Sequence, residues 1–67
     1  MSGYQKIIAD ACGVDETEAR MIESVIRNSY PTMDHLTKSF IEDCAKAAQF
    51  ELQDPELRKL VKEELGL

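Results

Sequence analysis

The chain has few histidines and cysteines and no long apolar run. It has one histidine, His35, in a connecting segment, where a histidine is more typical of a capping or surface residue than of a catalyst. Its two cysteines are far apart in sequence, which matches neither a disulfide framework nor a zinc site. It has no long apolar run and no basic segment before an apolar stretch. We therefore expect no membrane span, no signal peptide and a cytoplasmic location.

Cys12 and Cys44 both fall on apolar helix faces of the predicted fold. We expect them to be buried free thiols that act as small hydrophobic residues. The alternative is a single disulfide between the first and third helices, which would need an oxidising compartment. Adjacent carboxylates such as those of Glu42 and Asp43 point in different directions on a helix, so they predict a solvated face. We predict that the chain is not an enzyme and has no catalytic residue, no cofactor and no metal.

Acidic residues outnumber basic ones, 13 Asp and Glu against 8 Lys and Arg, and the formal net charge is -5. Such a charge repels the phosphate backbone that dominates nucleic-acid affinity. It suits an ordinary acid-leaning surface or a module that meets a basic partner surface. The chain makes one domain, residues 1–67, and a domain this small buries only about 60% of the surface of its unfolded form. A protein partner or a second copy of the chain could supply the missing burial.

Start and stop signals divide the chain into four helices. Ser2 and Gln5 form a capping box for the first helix, and Gly13 ends it. Asp15 caps the second helix, which stops before Pro31. The other signals are a turn capped by Thr32, an N-cap for the third helix at Thr37, Asp54 with Pro55 at the start of the fourth helix, and Gly66 at its end. The signals leave open whether the turn and the third helix are continuous or kinked. They predict an all-α fold, a small four-helix domain.

The third helix is predicted to be the long central helix of this domain. Its apolar residues cover about half of a helical wheel, which is wider than the stripe of an ordinary surface helix. They are Leu36, Phe40, Ile41, Cys44, Ala45, Ala47, Ala48 and Leu52. A helix with so wide an apolar face must be covered from more than one direction. We therefore expect the other three helices to pack on it.

Residues 8–22 contain a helix, a turn and a second helix with a regular spacing of small and apolar residues. Ala9 precedes the turn residue Gly13, Val14 follows it, and Ala19 and Ile22 recur in the second helix. This stretch resembles the helix-turn-helix pattern of bacterial and phage DNA-binding proteins, in which a small residue lets the helices cross closely and glycine permits the tight turn. It is also similar to the openings of acyl carrier and histone-like proteins, but no serine follows in the context of a carrier attachment site. The resemblance implies a sharp corner between the two helices.

The resemblance also implies which residues would face DNA. A protein of this type would turn the start and outer face of the second helix toward the bases, which here carry Thr17, Arg20 and Ser24. Only Arg20 is a common base or phosphate contact, and the acidic residues at the start of this helix would face phosphates. DNA binding with transcription regulation is therefore the alternative function.

Apolar residues outside the predicted core stripes are the candidates for a partner surface. Phe50 falls among polar residues on the wheel of the third helix, Met21 lies beside the stripe of the second helix, and Met33 lies in the connector. Phe50 either covers the turn to the fourth helix and touches Leu57 or Leu60, or anchors a partner within a charged rim. The methionines could adapt to the same surface or another one. The leading prediction is a non-catalytic, acidic protein-interaction module, of the accessory, phage-type or regulatory kind, that binds a protein partner or dimerises.

Overall fold

Four α-helices and one short 3-10 turn form the described part of the chain. The computed structural model describes residues 3–67. Its elements are α1 (Gly3–Cys12), α2 (Glu16–Ser29), the 3-10 turn (Met33–His35), α3 (Lys38–Glu51) and α4 (Pro55–Leu65). The predicted all-α, four-helix class is confirmed. No helix within residues 3–67 has the length and apolar character needed to cross a bilayer. The predicted cap at Ser2 lies outside the described residues.

The helix ends lie where the capping signals predict them. Three cap side chains accept hydrogen bonds from first-turn backbone N–H groups: Asp15 from Glu18 at 2.9 Å, Thr37 from Phe40 at 3.1 Å and Asp54 from Glu56 at 3.0 Å. These bonds satisfy N–H groups that the start of a helix leaves without an intrahelical partner. Gly13 and Gly66 have φ angles of 65° and 72°, in the left-handed region that favours glycine after a helix.

The connector between α2 and α3 is a separate turn and not an extension of α3. Leu36 is extended, with a ψ angle of 147°, so the 3-10 turn and α3 meet at a kink. Thr32 is the N-cap residue of the turn, but its side chain makes no capping hydrogen bond, which corrects the prediction of a cap there.

The helix at the centre of the fold is α2. It is 14 residues long, as is α3, so α3 is not the single longest helix that we had expected. It packs extensively against α1, α3 and α4, whereas α3 packs extensively against α1 and α2. The predicted arrangement is corrected in this respect because a helical wheel shows how apolar a face is, and not which neighbours reach it.

The buried stripe of α3 is narrower than the apolar arc predicted from the sequence. Its buried side chains recur at intervals of three and four residues, at Ile41, Ala45, Ala48 and Leu52. Phe40 and Ala47, from the same predicted arc, are exposed, and Cys44 is half-buried. One side of the arc therefore belongs to the core and the other side faces outward.

Met21 is a core residue, which corrects its prediction as a partner contact. Its exposed fraction is 1%. It lies one helical turn from Glu18 and one turn from Val25, on a second face of α2. α4 packs on that face, since Arg58 of α4 binds Glu18 and Val25 lines a depression together with α4 side chains. Two faces of α2 are therefore covered, one of them by a helix from the far end of the chain.

Met33 is also a core residue, with an exposed fraction of 0%, and cannot contact a partner as predicted. The connector that carries it is fastened over α1. The hydroxyl of Tyr4 donates a hydrogen bond to the Asp34 carboxylate at 2.5 Å, and this bond raises the pKa of Tyr4. The guanidinium of Arg27 lies 5.5 Å from the centre of the Tyr4 ring, within the range of a cation–π contact. With Asp34 held on the outside, the neighbouring Met33 turns inward.

Arg58 joins α4 to α2. Its Nη1 donates a hydrogen bond to Glu18 Oε2 at 3.0 Å, and its Nη2 pairs with the other carboxylate oxygen. Nη1 also donates to the carbonyl oxygen of Leu52 at 3.3 Å. Two-pronged pairing of this kind fixes orientation as well as distance. The hydrogen bond with Glu18 raises the pKa of the Arg58 guanidinium.

Replacing Arg58 with alanine is expected to lower the free energy of unfolding by about 1 kcal/mol, because the lost pair is only partly buried and is screened by water. The same substitution at Lys59, an exposed neighbour in α4, should change it by less than about 0.5 kcal/mol. Urea unfolding followed by circular dichroism measures both values. Equal losses for the two variants would show that this ion pair does not hold α4 in place.

Candidate functional site

The side chains predicted to face DNA lie on the flank of α2 that adjoins α4. Thr17 is exposed, whereas Arg20 and Ser24 are half-buried. Arg20 and Ser24 line a shallow depression together with Leu65 of α4. The three residues share one face of α2, but α4 covers part of that face.

A groove follows the C-terminal half of α2 between α3 and α4. It consists of two adjoining depressions, of about 210 and 250 Å³, that share Val25, Ser29 and Glu51. The depression on the α3 side is completed by Ile26, Tyr30, Cys44, Ala47 and Ala48. The depression on the α4 side is completed by Ser24, Asn28, Leu57, Leu60, Val61 and Glu64. We call this surface the α2–α3–α4 groove.

The α3 wall of the groove is the uncovered part of the α3 apolar arc. Cys44 and Ala47 lie about one turn apart along it, and Phe40 lies one turn before Cys44, beyond the lining of the groove. The ring of Phe40 packs edge-on against the ring of Tyr30, with their centroids 5.3 Å apart and their planes at 87°. This edge-to-face geometry is a favourable one for aromatic pairs. Both rings are still partly exposed, so they extend the apolar surface at this end of the groove.

The α4 wall carries the most exposed leucine of the groove, and Phe50 stands beside it. The exposed fraction of Leu60 is 58% and that of Phe50 is 73%. Phe50 lines a third depression with Leu57 and Glu51, both of which also line the groove. Phe50 therefore lies beside Leu57, as expected if it covers the turn to α4. Most of its ring is nevertheless open to solvent, as expected if it anchors a partner.

Three residues of this surface, Tyr30, Phe40 and Leu60, are not predicted as surface residues from the sequence. Phe40 and Leu60 lie on the apolar stripes of α3 and α4, and Tyr30 directly follows α2 in register with its stripe, where the pattern predicts core positions. The signal that points to Phe40 is the excess width of the α3 arc, because a single packing neighbour cannot cover it.

The charged residues around the groove have one sign. Those that line the groove or the adjoining depression at Phe50 are Glu51, Asp54 and Glu64. Within the described range 3–67, no lysine or arginine lines either of them. An apolar groove with an acidic rim is complementary to an apolar surface that is flanked by positive charge.

Cys12 and Cys44 are free thiols, so the alternative disulfide between α1 and α3 is not formed. Both are half-buried rather than fully buried, and desolvation by burial raises the pKa of each thiol. Cys44 lines the groove. Cys12 ends α1, where its carbonyl oxygen accepts a hydrogen bond from the side chain of Gln49 at 3.4 Å. A raised pKa leaves little thiolate at neutral pH, which lowers the reactivity of both cysteines.

The remaining candidates from the sequence are the single histidine and the possible metal ligands. His35 is exposed in the 3-10 turn. Across the described part of the chain, no group of three or more His, Cys, Asp and Glu side chains is arranged to hold a metal ion. Comparisons of the chain with protein-family models, with curated proteins and with solved structures find no match. A proposal about function therefore rests on the shape and charge of the α2–α3–α4 groove.

Proposed function

We propose that this chain is a non-catalytic helical protein-interaction module that binds a protein partner through the α2–α3–α4 groove. The observation that carries the proposal is the grouping of exposed large apolar side chains at the groove and beside it. Tyr30 and Leu60 line the groove, Phe40 packs on Tyr30, and Phe50 lines the adjoining depression. Soluble monomers expose such residues singly, and a contiguous cluster marks an interaction surface. Covering the cluster with a partner removes its apolar surface from water, which is favourable.

The open shape of the groove favours partner side chains over an enclosed small molecule. Its two depressions, of about 210 and 250 Å³, are partly open to solvent, whereas a small-molecule site typically buries roughly 70–90% or more of the surface of its ligand. Aromatic residues at its edges are enriched among the anchors of protein interfaces. The thiol of Cys44, which lines the groove, has a pKa raised by desolvation, which does not favour covalent catalysis by this cysteine.

A module of this size and charge suits a small accessory, phage-type or regulatory factor, which acts by binding to a partner protein. We place it in the cytoplasm, because half-buried free thiols are typical of proteins in reducing compartments.

A helix-turn-helix DNA-binding, transcription-regulating role is the alternative proposal. Its support is the α1–α2 corner, where the Ala9 carbonyl accepts hydrogen bonds from the backbone N–H groups of Gly13 at 2.8 Å and Val14 at 3.3 Å. Against it, Arg20 and Ser24 are half-buried beside α4, and the first turn of α2 is acidic. A recognition helix needs an exposed face and a basic surround. A gel shift titrated with salt tests this role, since specific, salt-steep binding of DNA would favour it over protein binding.

Peptides selected against the full chain from an unbiased display library are expected to bind in the groove. Replacing both Phe50 and Leu60 with glutamine should weaken them by at least about tenfold, because a few central anchors carry most of the energy of an interface. Both side chains are largely exposed, so the substitutions should leave the fold intact. The matched control is Leu67→Gln, at an exposed leucine that lines a different depression, which should change affinity by less than about twofold.

The two cysteines provide a second measurement of where a peptide binds. A bound peptide should slow the alkylation of Cys44 by iodoacetamide and leave the rate at Cys12 unchanged, because only Cys44 lines the groove. The raised pKa of both thiols means that the reaction is best followed at a pH of about 9, where more thiolate is present. Mass spectrometry of the digested protein reports each site. Peptides that bind the double variant undiminished, or that protect both cysteines equally, would contradict binding in the groove.

A further inference from the structure

We infer that the segment bound in the α2–α3–α4 groove is an amphipathic α-helix of the partner whose apolar face is flanked by lysine or arginine side chains. This inference rests on the proposed protein-binding function and names the chemistry of the partner. It is carried by the shape of the groove and by the sign of the charges around it.

The shape of the groove fits a rod better than an extended strand. Its floor is one helix, α2, and its walls are two others, α3 and α4. The wall residues Cys44, Ala47 and Glu51 recur at helical intervals, which leaves a ridge and a trough for side chains spaced in the same way. Strand addition needs an unpaired sheet edge, and residues 3–67 contain no strand. A helix laid into the trough would complete a layer of helices over α2.

The charges around the groove select a basic partner. Glu51 lies where the two depressions meet, Glu64 lies on the α4 side, and Asp54 lies beside Phe50. Carboxylates at the rim of an interface attract a partner of opposite charge and repel one of the same charge. A second copy of this chain, joined through the same surface, would bring two such acidic rims together, so a foreign basic helix is the better occupant.

The basic residues of α4 lie away from the groove. Glu64 faces the groove. Lys59 and Lys62 line a different depression together with Glu63, and Arg58, which also lines it, is bound to Glu18 of α2. The basic residues of α4 therefore do not neutralise the acidic rim at the groove.

A pair of synthetic peptides tests the inference directly. Each has 18 residues, with leucines recurring at intervals of three and four, and the flanking positions are lysine in one peptide and glutamate in the other. A helix of about 18 residues spans about 27 Å, close to the 29 Å long axis of the domain. The lysine peptide should bind the full chain at least about tenfold more tightly than the glutamate peptide at low salt, and about 0.5 M NaCl should narrow the gap. Circular dichroism should show the lysine peptide becoming more helical on binding.

Substitutions separate the groove from a general attraction between opposite charges. Glu51→Gln combined with Glu64→Gln should remove most of the preference for the lysine peptide. The matched control, Asp10→Asn combined with Glu16→Gln, changes the net charge equally at exposed positions outside the groove and should preserve the preference. The Phe50→Gln, Leu60→Gln double variant should lose at least about tenfold in affinity for the lysine peptide.

Four results would overturn the inference. The first is equal binding of the two peptides, and the second is unchanged binding of the lysine peptide by the Phe50→Gln, Leu60→Gln variant. The third is an equal loss of the preference for the lysine peptide in the two charge variants. The fourth is a homodimer, detected by light scattering, that excludes the lysine peptide. If display-selected peptides bind in the groove while neither synthetic peptide does, the partner is of another class and the protein-binding function stands. If no selected peptide binds in the groove either, the proposed function fails together with the inference.

Discussion

Replacing Met21 with aspartate is expected to remove most of the stability of the domain. The side chain is almost completely buried on the face of α2 against which α4 packs, and an unpaired carboxylate there would lose its hydration without gaining a partner. Loss of the methionine packing adds to this cost, for a combined loss of about 3–5 kcal/mol. A domain of this length has a total free energy of unfolding of about 3–10 kcal/mol, so the variant should be largely unfolded or close to it.

Thermal and urea unfolding by circular dichroism measure the loss at Met21. The melting temperature should fall by at least about 12 °C, since each kcal/mol corresponds to about 4–8 °C in a domain of this size. The control is Leu60→Asp, which introduces the same residue into a helix at an exposed site and should cost less than about 1 kcal/mol. A stable Met21→Asp variant would mean that α4 does not cover the second face of α2.

Enlarging Ala45 to leucine is expected to destabilise the domain by about 1–3 kcal/mol, whereas the same change at Ala47 should alter the free energy of unfolding by less than about 0.5 kcal/mol. Ala45 is fully buried where α3 packs on the core, so extra methyl groups would push the helices apart. Ala47 is exposed on the α3 wall of the groove. Both residues lie on the same helix, so differences in helix propensity cancel.

Urea unfolding of the two alanine variants also tests how wide the buried stripe of α3 is. The sequence pattern assigns Ala45 and Ala47 to one apolar arc, whereas the structure buries only the first. A loss at Ala47 as large as that at Ala45 would show that a further element covers the outer side of α3. The Ala47→Leu variant should in addition weaken peptides selected for groove binding, because the larger side chain fills part of the α3-side depression.

The features of this fold that the sequence predicts correctly are local ones. The cap residues Asp15, Thr37 and Asp54 each bond to a backbone N–H two or three positions further on. Gly13 and Gly66 take up their left-handed conformations for reasons contained within one helical turn. Interactions of this range do not depend on how the helices pack, so four helices and their ends can be derived residue by residue.

The candidate site is predicted only in part. Phe50 stands out on its wheel as an apolar residue among polar ones, and it is the predicted contact that the structure leaves exposed. The same reasoning predicts that Met21 and Met33 are exposed, but both are buried. α4 packs on the face of α2 that carries Met21, and the connector that carries Met33 is fastened to α1. The apolar pattern predicts that Tyr30 and Leu60 are buried, but both are exposed, because no other element within residues 3–67 covers them.

By itself, the sequence determined the class of fold, the number of helices, their ends and the acidic balance of the surface, because each of these depends on neighbouring residues or on composition. Tertiary structure decided that α2 is the central helix, which methionines enter the core, and where apolar side chains and carboxylates meet in one groove. The physical reason is that burial depends on contacts between residues far apart in the chain. One example is the pairing of Glu18 in α2 with Arg58 in α4, which helps to hold α4 on the second face of α2.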